Sequence, residues 1–252
     1  MQPSGDLHAY RTHPRELERI ARFFTLLPAH GPNVLDIGAR DGHLSVLLAE
    51  RFDHVVALDL SPPSVDHPRV QALQGDACAL PFADNTFHTV VCAEVLEHIP
   101  AALLPKACSE IMRVASQCAV IGVPYRQDLR VACTTCYHCG TVNPPWGHVN
   151  SFDEQALCRL MKRALPARQD YVGRTREATN RLAAALMNYA GNPYGTYEQD
   201  EPCVSCGRLL TPPPARSLPQ RVATRLATWA LSVQKIFTPW HASWLHARFE
   251  KV

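Results

Sequence analysis

Between Val34 and Val123 the chain alternates short aliphatic runs with stretches whose apolar residues recur at helical spacing. That alternation is the pattern of a mostly parallel sheet covered by helices, because parallel neighbours must be joined by a crossover long enough to hold a helix. The runs are NVLDI (33–37), HVVALDL (54–60), VQALQG (70–75), HTVVCAEV (88–95) and CAVIGVP (118–124), all rich in β-branched or aliphatic residues. Between them lie HLSVLLAERF (43–52) and AALLPKACSEIMRVA (101–115), the second with Leu103, Leu104, Cys108, Ile111 and Met112 on one face and Pro105 in its first turn. PRELERIARFFTLLP (14–28) reads as an amphipathic helix before the first strand. The expected fold class is α/β: a Rossmann-like, doubly wound, mostly parallel sheet.

At 252 residues the chain can bury a substantial core. A formal net charge of +2 does not mark a nucleic-acid binder. The N-terminus is polar, and no run of 18 apolar residues occurs, so a cytoplasmic protein is expected.

In such a sheet a ligand lies beyond the carboxyl ends of the strands, against the first strand–loop–helix turn. VLDIGARDGHLS (34–45) occupies that turn. Asp36 ends the strand, Gly38 lets the backbone bend close to a ligand, and Gly42 starts the helix tightly. The dinucleotide pattern G-x-G-x-x-G and a P-loop lysine are both absent, which disfavours pyrophosphate and with it a nicotinamide dehydrogenase.

On these residues the chain resembles the class I S-adenosylmethionine-dependent methyltransferases over about residues 15 to 124. Asp36, Gly38 and Gly42 match the family's D-x-G-x-G-x-G loop, with Ala39 inside it and Arg40 in place of the middle glycine. The resemblance implies that Asp59, followed by Leu60, holds the ribose hydroxyls, and that Asp76 and the Ala77 amide meet the adenine. CAEVLEHI supplies Glu94, Val95, Glu97 and His98, a run common in members acting on small molecules. Alone, Asp59 or Asp76 reads better as a strand-end carboxylate capping a turn; with Asp36, Gly38 and Gly42 they favour the cofactor. Methyl transfer needs alignment more than proton transfer. Candidates for a catalytic group are His98, Glu94, Tyr125 and His148, with a purely structural hydrogen bond the alternative for His98.

Ten cysteines in such a chain are buried thiols or metal ligands rather than a disulfide framework. Cys78, Cys92, Cys108, Cys118 and Cys158 stand alone in apolar surroundings and read as core. CYHCG and CVSCG are two C-x-x-C-G knuckles, each able to turn two thiolates toward one ion. Structural zinc is assigned to Cys136, Cys139, Cys203 and Cys206, with Cys133 or His148 as substitutes. A redox role is disfavoured because neither pair opens a helix. The family includes members with such an insertion before a G-H-x-x-S-F segment, which Gly147, His148, Ser151 and Phe152 resemble.

The expected organisation is a methyltransferase domain over 1–211, with a zinc-binding insertion at 130–150 closing against 201–208, then a linker and an amphipathic helical tail over 212–252. Helices are expected at 151–165, capped by Ser151, and at 174–191, with DYVGRT as a strand between them. The material between the knuckles is expected to cover the cofactor and shape the acceptor pocket. In the tail Leu218, Val222, Leu226, Trp229, Val233 and Ile236 recur every three or four residues, and Glu250 is the only acid from Pro212 onward. That stripe is expected to pack on the domain or a second subunit; an anionic membrane surface is the alternative. The function expected is transfer of a methyl group to a small-molecule, glycan-linked or lipid-linked acceptor, without nucleic acid. The alternative is a non-catalytic zinc-stabilised interaction or RNA-binding module.

Overall fold

The computed structural model describes residues 7–162, 164–199 and 201–252; the polar stretch before Leu7 lies outside them, as do Arg163 in the expected 151–165 helix and Asp200. In chain order the elements are α1 (Leu7–Thr12), α2 (Pro14–Phe24), β1 (Gly31–Ile37), α3 (His43–Leu48), β2 (Phe52–Asp59), β3 (Val70–Gln74), β4 (Phe87–Ala93), α4 (Leu104–Val114) and β5 (Ala115–Pro124). Then come β6 (Thr134–Thr135), β7 (Val142–Asn143), α5 (Glu154–Leu160), β8 (Ala164–Val172), α6 (Arg181–Tyr189), α7 (Leu218–Phe237) and β9 (Trp244–Lys251). They form two compact units, each built from separated stretches: 18–125, 152–173 and 243–252 in one, and 1–17, 126–151 and 174–242 in the other.

The first unit holds a seven-stranded sheet in the order β3-β2-β1-β4-β5-β9-β8. β1 through β5 are mutually parallel, and β9 runs antiparallel to both β5 and β8. Burial follows position. β5 is buried from Cys118 to Pro124, as an inner strand covered on both faces must be, whereas β3 and β8 at the edges are largely exposed. Pro166, Arg168 and Asp170 blunt the β8 edge against pairing with another chain. On one face Phe23, Leu26 and Leu27 pack with Val34, Leu48, Phe52, Val55, Val91 and Val120. Fully burying such a side chain contributes roughly 1.5–3 kcal/mol. The isolated Cys78, Cys92, Cys108 and Cys118 are buried free thiols of this unit, and Cys158 is half-buried.

The second unit contains α6 and α7 packed together, and the β6–β7 hairpin. α6 starts at Asn180, whose Oδ1 accepts the Ala183 amide at 2.8 Å.

Three expectations are corrected. The helix expected at 151–165 is the shorter α5, and its cap is Asp153 rather than Ser151: Asp153 Oδ1 accepts the Ala156 amide at 2.7 Å. The tail is not helical throughout, because residues 244–251 form the strand that fills the gap between β5 and β8. The apolar stripe of α7 is not its packed face: Leu218, Val222, Leu226, Trp229, Val233 and Ile236 are all exposed, while Ala223, Thr224 and Ala227 are buried. Small residues let helix axes approach closely, so α7 turns its alanine side inward.

Candidate functional site

The strand order reverses between β1 and β4, and the carboxyl ends of those strands frame the crevice where an open parallel sheet takes its ligand. The loop after β1 is built for close approach. Gly38 has φ +77°, and a Cβ there would stand 2.2 Å from Val95 Cγ2. Gly42 has φ +78°, and its Cβ would meet Val65 at 2.8 Å. Arg40, where the middle glycine is missing, also has a left-handed backbone, φ 51°. Its amide donates to Asp59 Oδ2 at 2.8 Å, which holds the strained residue in place. Ala39 is buried, and the Gly38 and Ala39 amides both donate to Leu58 O.

The acids of this unit have distinct surroundings. Asp36 is buried, with Ser45 Oγ donating to its Oδ2 at 2.6 Å. Burial pushes its carboxyl up to about 7; Ser45 opposes that and the nearby Asp59 charge adds to it. Asp59 is half-buried at the end of β2, and Leu60 beside it is exposed. Asp76 is exposed, and its Oδ1 accepts the Cys78 amide at 2.8 Å, so it caps a turn beside the buried Ala77. Glu94 follows β4 with φ 57°; its Oε2 accepts from Trp244 Nε1 at 3.1 Å, and Arg19 Nη1 lies 3.9 Å from Oε1. Sequence reasoning missed Trp244, which sits on β9 and was expected in a helical tail.

His98 lies in the turn after β4, its amide donating to Val95 O. The Tyr125 hydroxyl donates to Glu154 Oε1 at 2.8 Å, and Tyr171 donates to the same oxygen. His148 belongs to the second unit, where its Nδ1 lies 2.6 Å from Gln127 Oε1. Asp36 on β1 and Asp59 at the end of β2 thus share one unit with Gly38, Ala39, Gly42, Asp76, Ala77, Glu94 and His98, and His148 belongs to the other.

The raised Asp36 pKa has a sign. Between about pH 4 and pH 7 the native state keeps the proton that the unfolded state has released, so stability falls as pH rises through that window, by about 4 kcal/mol in all. Asp36→Asn carries no charge at any pH and is expected to remove the fall. Urea unfolding of both proteins at pH 5 and pH 8 checks this; a fall of equal size in the variant would assign the effect to another group.

In the second unit four sulfurs converge. Cys136 and Cys206 Sγ are 3.7 Å apart, Cys139 and Cys203 Sγ are 3.6 Å apart, and all four lie within 4.8 Å of one another. A tetrahedron with metal–sulfur arms of about 2.3 Å has edges of about 3.8 Å, whereas a disulfide would bring two sulfurs to about 2.05 Å. The donor set therefore fits a tetrahedral ion. The two knuckles share one construction. Cys136 N donates to Thr141 O and Gly140 N to Cys136 O; Cys203 N donates to Arg208 O and Gly207 N to Cys203 O. Gly140 and Gly207 have φ +78° and +68° with open space around them, so glycine is there for the backbone angle alone. The Val204 amide ties the knuckles together through Asn143 Oδ1 at 2.9 Å. Cys133 is not part of the cluster: its thiol donates to Leu129 O.

Residues 34–117 match the family described as a methyltransferase domain. A ubiquinone biosynthesis O-methyltransferase of Xylella fastidiosa is 32% identical over 122 residues, 44% of this chain and 48% of its own. An uncharacterized methyltransferase of Mycobacterium tuberculosis is 37% identical over 94 residues, 35% of this chain and 37% of its own. The chain spans about half the length or less of these curated relatives. Among solved structures, the N-methyltransferase NodS of Bradyrhizobium japonicum with S-adenosyl-L-homocysteine superposes with a TM-score of 0.54 at 14% identity, covering 98% of this chain and 93% of its own. The complex of the Haloferax volcanii Trm112 methyltransferase activator with a putative methyltransferase gives 0.56 at 12% identity, over 98% and 95%. At these identities the structural likeness is one of fold.

Proposed function

We propose that this chain is a class I methyltransferase that uses S-adenosylmethionine to methylate a small molecule, a reading supported by its sheet and by the match of residues 34–117. The observation that carries the reading is the Gly38 loop beside Asp59 at the switch point: a left-handed turn packed so closely on Val95 that only glycine fits, next to a strand-end carboxylate. When bound, the cofactor supplies an electrophilic methyl group on a sulfonium. Asp59 is assigned to the ribose hydroxyls, since an ionised carboxylate accepts two hydroxyl hydrogen bonds strongly. Asp76, with the Ala77 amide, is assigned to the adenine edge, and Leu60 to its flank. Glu94 and His98, following β4, are the groups best placed to orient an acceptor in this unit; Tyr125 is already engaged by Glu154. The name of the Xylella relative supports an acceptor oxygen.

We further assign one structural zinc ion to Cys136, Cys139, Cys203 and Cys206. Four thiolates leave no open position, so the ion would hold the two knuckles together rather than activate an acceptor.

Asp59→Ala is expected to weaken S-adenosylhomocysteine binding roughly ten- to hundredfold, equivalent to the 1.5–3 kcal/mol of a hydrogen bond to a charged group. Because Asp59 also accepts the Arg40 amide, Asp59→Asn serves as a companion that keeps an acceptor for the loop while losing the charge. Calorimetric titration measures both, and unchanged affinity in both would remove the assignment. Absence of any S-adenosyl ligand binding to the native chain would favour the non-catalytic zinc-stabilised module instead.

A further inference from the structure

α7 is amphipathic in an unusual sense, because its apolar stripe is the face turned to water. Leu218, Trp229, Ile236 and Phe237 are 69–80% exposed, and Val222, Leu226 and Val233 are 41–52% exposed. Successive residues of a helix turn by about 100°. Arg221, Arg225, Thr228, Ser232 and Lys235 therefore form a second strip immediately beside the apolar one, opposite the buried Ala223 and Ala227. The basic strip lines a groove of about 520 Å³, to which Tyr194 and Arg216 contribute. Arg216 donates to Thr224 Oγ1 at 2.8 Å and lies 5.8 Å from the centre of the Tyr194 ring. Among the described residues no carboxylate lines this groove, and α7 carries no acid.

We propose that α7 docks on an anionic membrane surface, with the Leu218–Phe237 stripe among the acyl chains and the Arg216–Arg221–Arg225 groove taking a lipid phosphate. Charge complementarity selects this occupant. Three guanidiniums in one groove suit a phosphate, whose oxygens accept such donors with charge assistance, while the Thr224, Thr228 and Ser232 hydroxyls donate to helix carbonyls. A second copy of the same face would offer Arg221 and Arg225 no acid, because a two-fold contact pairs the face with itself and α7 carries none. An RNA would leave the adjacent apolar stripe in water. The helix lies in the interface rather than crossing it, since no described helix is long and apolar enough to span a membrane. Trp229 sits where an interfacial aromatic belongs, with an apolar body and one donor at its edge. This surface is in the second unit and does not depend on the cofactor reading.

The test uses the full chain with vesicles of phosphatidylcholine alone, or of phosphatidylcholine mixed with phosphatidylglycerol. Co-sedimentation is expected with the anionic vesicles only, declining as salt shortens the screening length. The double variant R221Q/R225Q is expected to lower partitioning roughly thirtyfold, at about a factor of five to six for each lysine or arginine near such a surface. Trp229→Ala is expected to lower partitioning while leaving the salt dependence in place. These positions are exposed, and a thermal melt of each variant shows that the fold persists. Equal binding to neutral vesicles, or none to either kind, overturns the proposal. Binding of inorganic phosphate without vesicle binding assigns the groove to a soluble anion and overturns it as well. A dimer that Trp229→Ala disperses, again without vesicle binding, assigns the stripe to self-association. S-adenosylhomocysteine affinity in the same preparations reports separately on the methyltransferase reading.

Discussion

A chain cut after Ala242 will fail to fold its sheet. β9 lies between β5 and β8 and pairs with both, from Cys118↔Glu250 to Pro124↔Trp244 on one side and from Ala164↔Lys251 to Val172↔Trp244 on the other. Its Leu245, His246, Ala247 and Phe249 are fully buried. The cut removes two hydrogen-bonded ladders, detaches β8, and leaves the apolar β5 as an open edge of the kind that pairs with other chains. The truncated protein is expected in the insoluble fraction, and a soluble product with native circular dichroism would contradict the strand order. Phe249→Ala provides a graded form of the same test, with an expected loss of 3–5 kcal/mol in urea unfolding. One practical consequence concerns α7. Any cut that removes the helix together with everything after it also removes β9, so membrane docking is tested by substitution.

The double variant Cys136→Ser, Cys203→Ser will lose about one equivalent of zinc per chain and, with it, the order of the second unit. One ligand is taken from each knuckle, so neither half can keep a complete set. Structural zinc supplies on the order of 10 kcal/mol of apparent folding free energy in small zinc modules. The apolar support around these cysteines is slight, Leu210 and Tyr197 being its main members, so little remains to replace the metal. Elemental analysis and a thermal melt, with and without a chelator, check the expectation. Zinc retained in full would point to other ligands. Zinc lost with no change in the melt would show that packing alone holds the hairpin.

The five parallel strands were legible because each is a run rich in β-branched or aliphatic residues, set apart from the next by a turn or a helical stretch. The convergence of the four cysteines was legible because CYHCG and CVSCG repeat one spacing, which fits a shared backbone turn. β9 was not. WLHARFEK mixes Trp, His, Arg and Lys with its apolar residues, and both its partners are distant in sequence, so nothing local marks it as an inner strand. The same distance hid the Trp244 hydrogen bond to Glu94. For α7 the spacing showed which residues share a face but not which face meets protein. Alanines at 223 and 227 pack against α6 better than the larger side chains of the stripe, and a hydrophobic pattern cannot express that preference. At the site, the glycine loop was read from the residues themselves, whereas the cofactor roles expected of Asp59 and Asp76 came from the family resemblance; in the structure Asp76 caps a turn and Asp59 accepts the Arg40 amide. The left-handed Arg40, held by Asp59, could be seen only in three dimensions.

The place of β9 also sets the order in which the molecule can come together. A chain is made from its N-terminus, and β1 to β5 with their helices form a contiguous run that can pair as soon as it is made. β8 follows with no neighbour to join, because the strand between it and β5 is synthesised only after α6 and α7. Throughout that interval β5 presents an unpaired edge, and closing the gap then joins residues on the order of a hundred positions apart. The late insertion of one strand is therefore the expected slow step of maturation, and the half-built sheet the species expected to associate with its own kind.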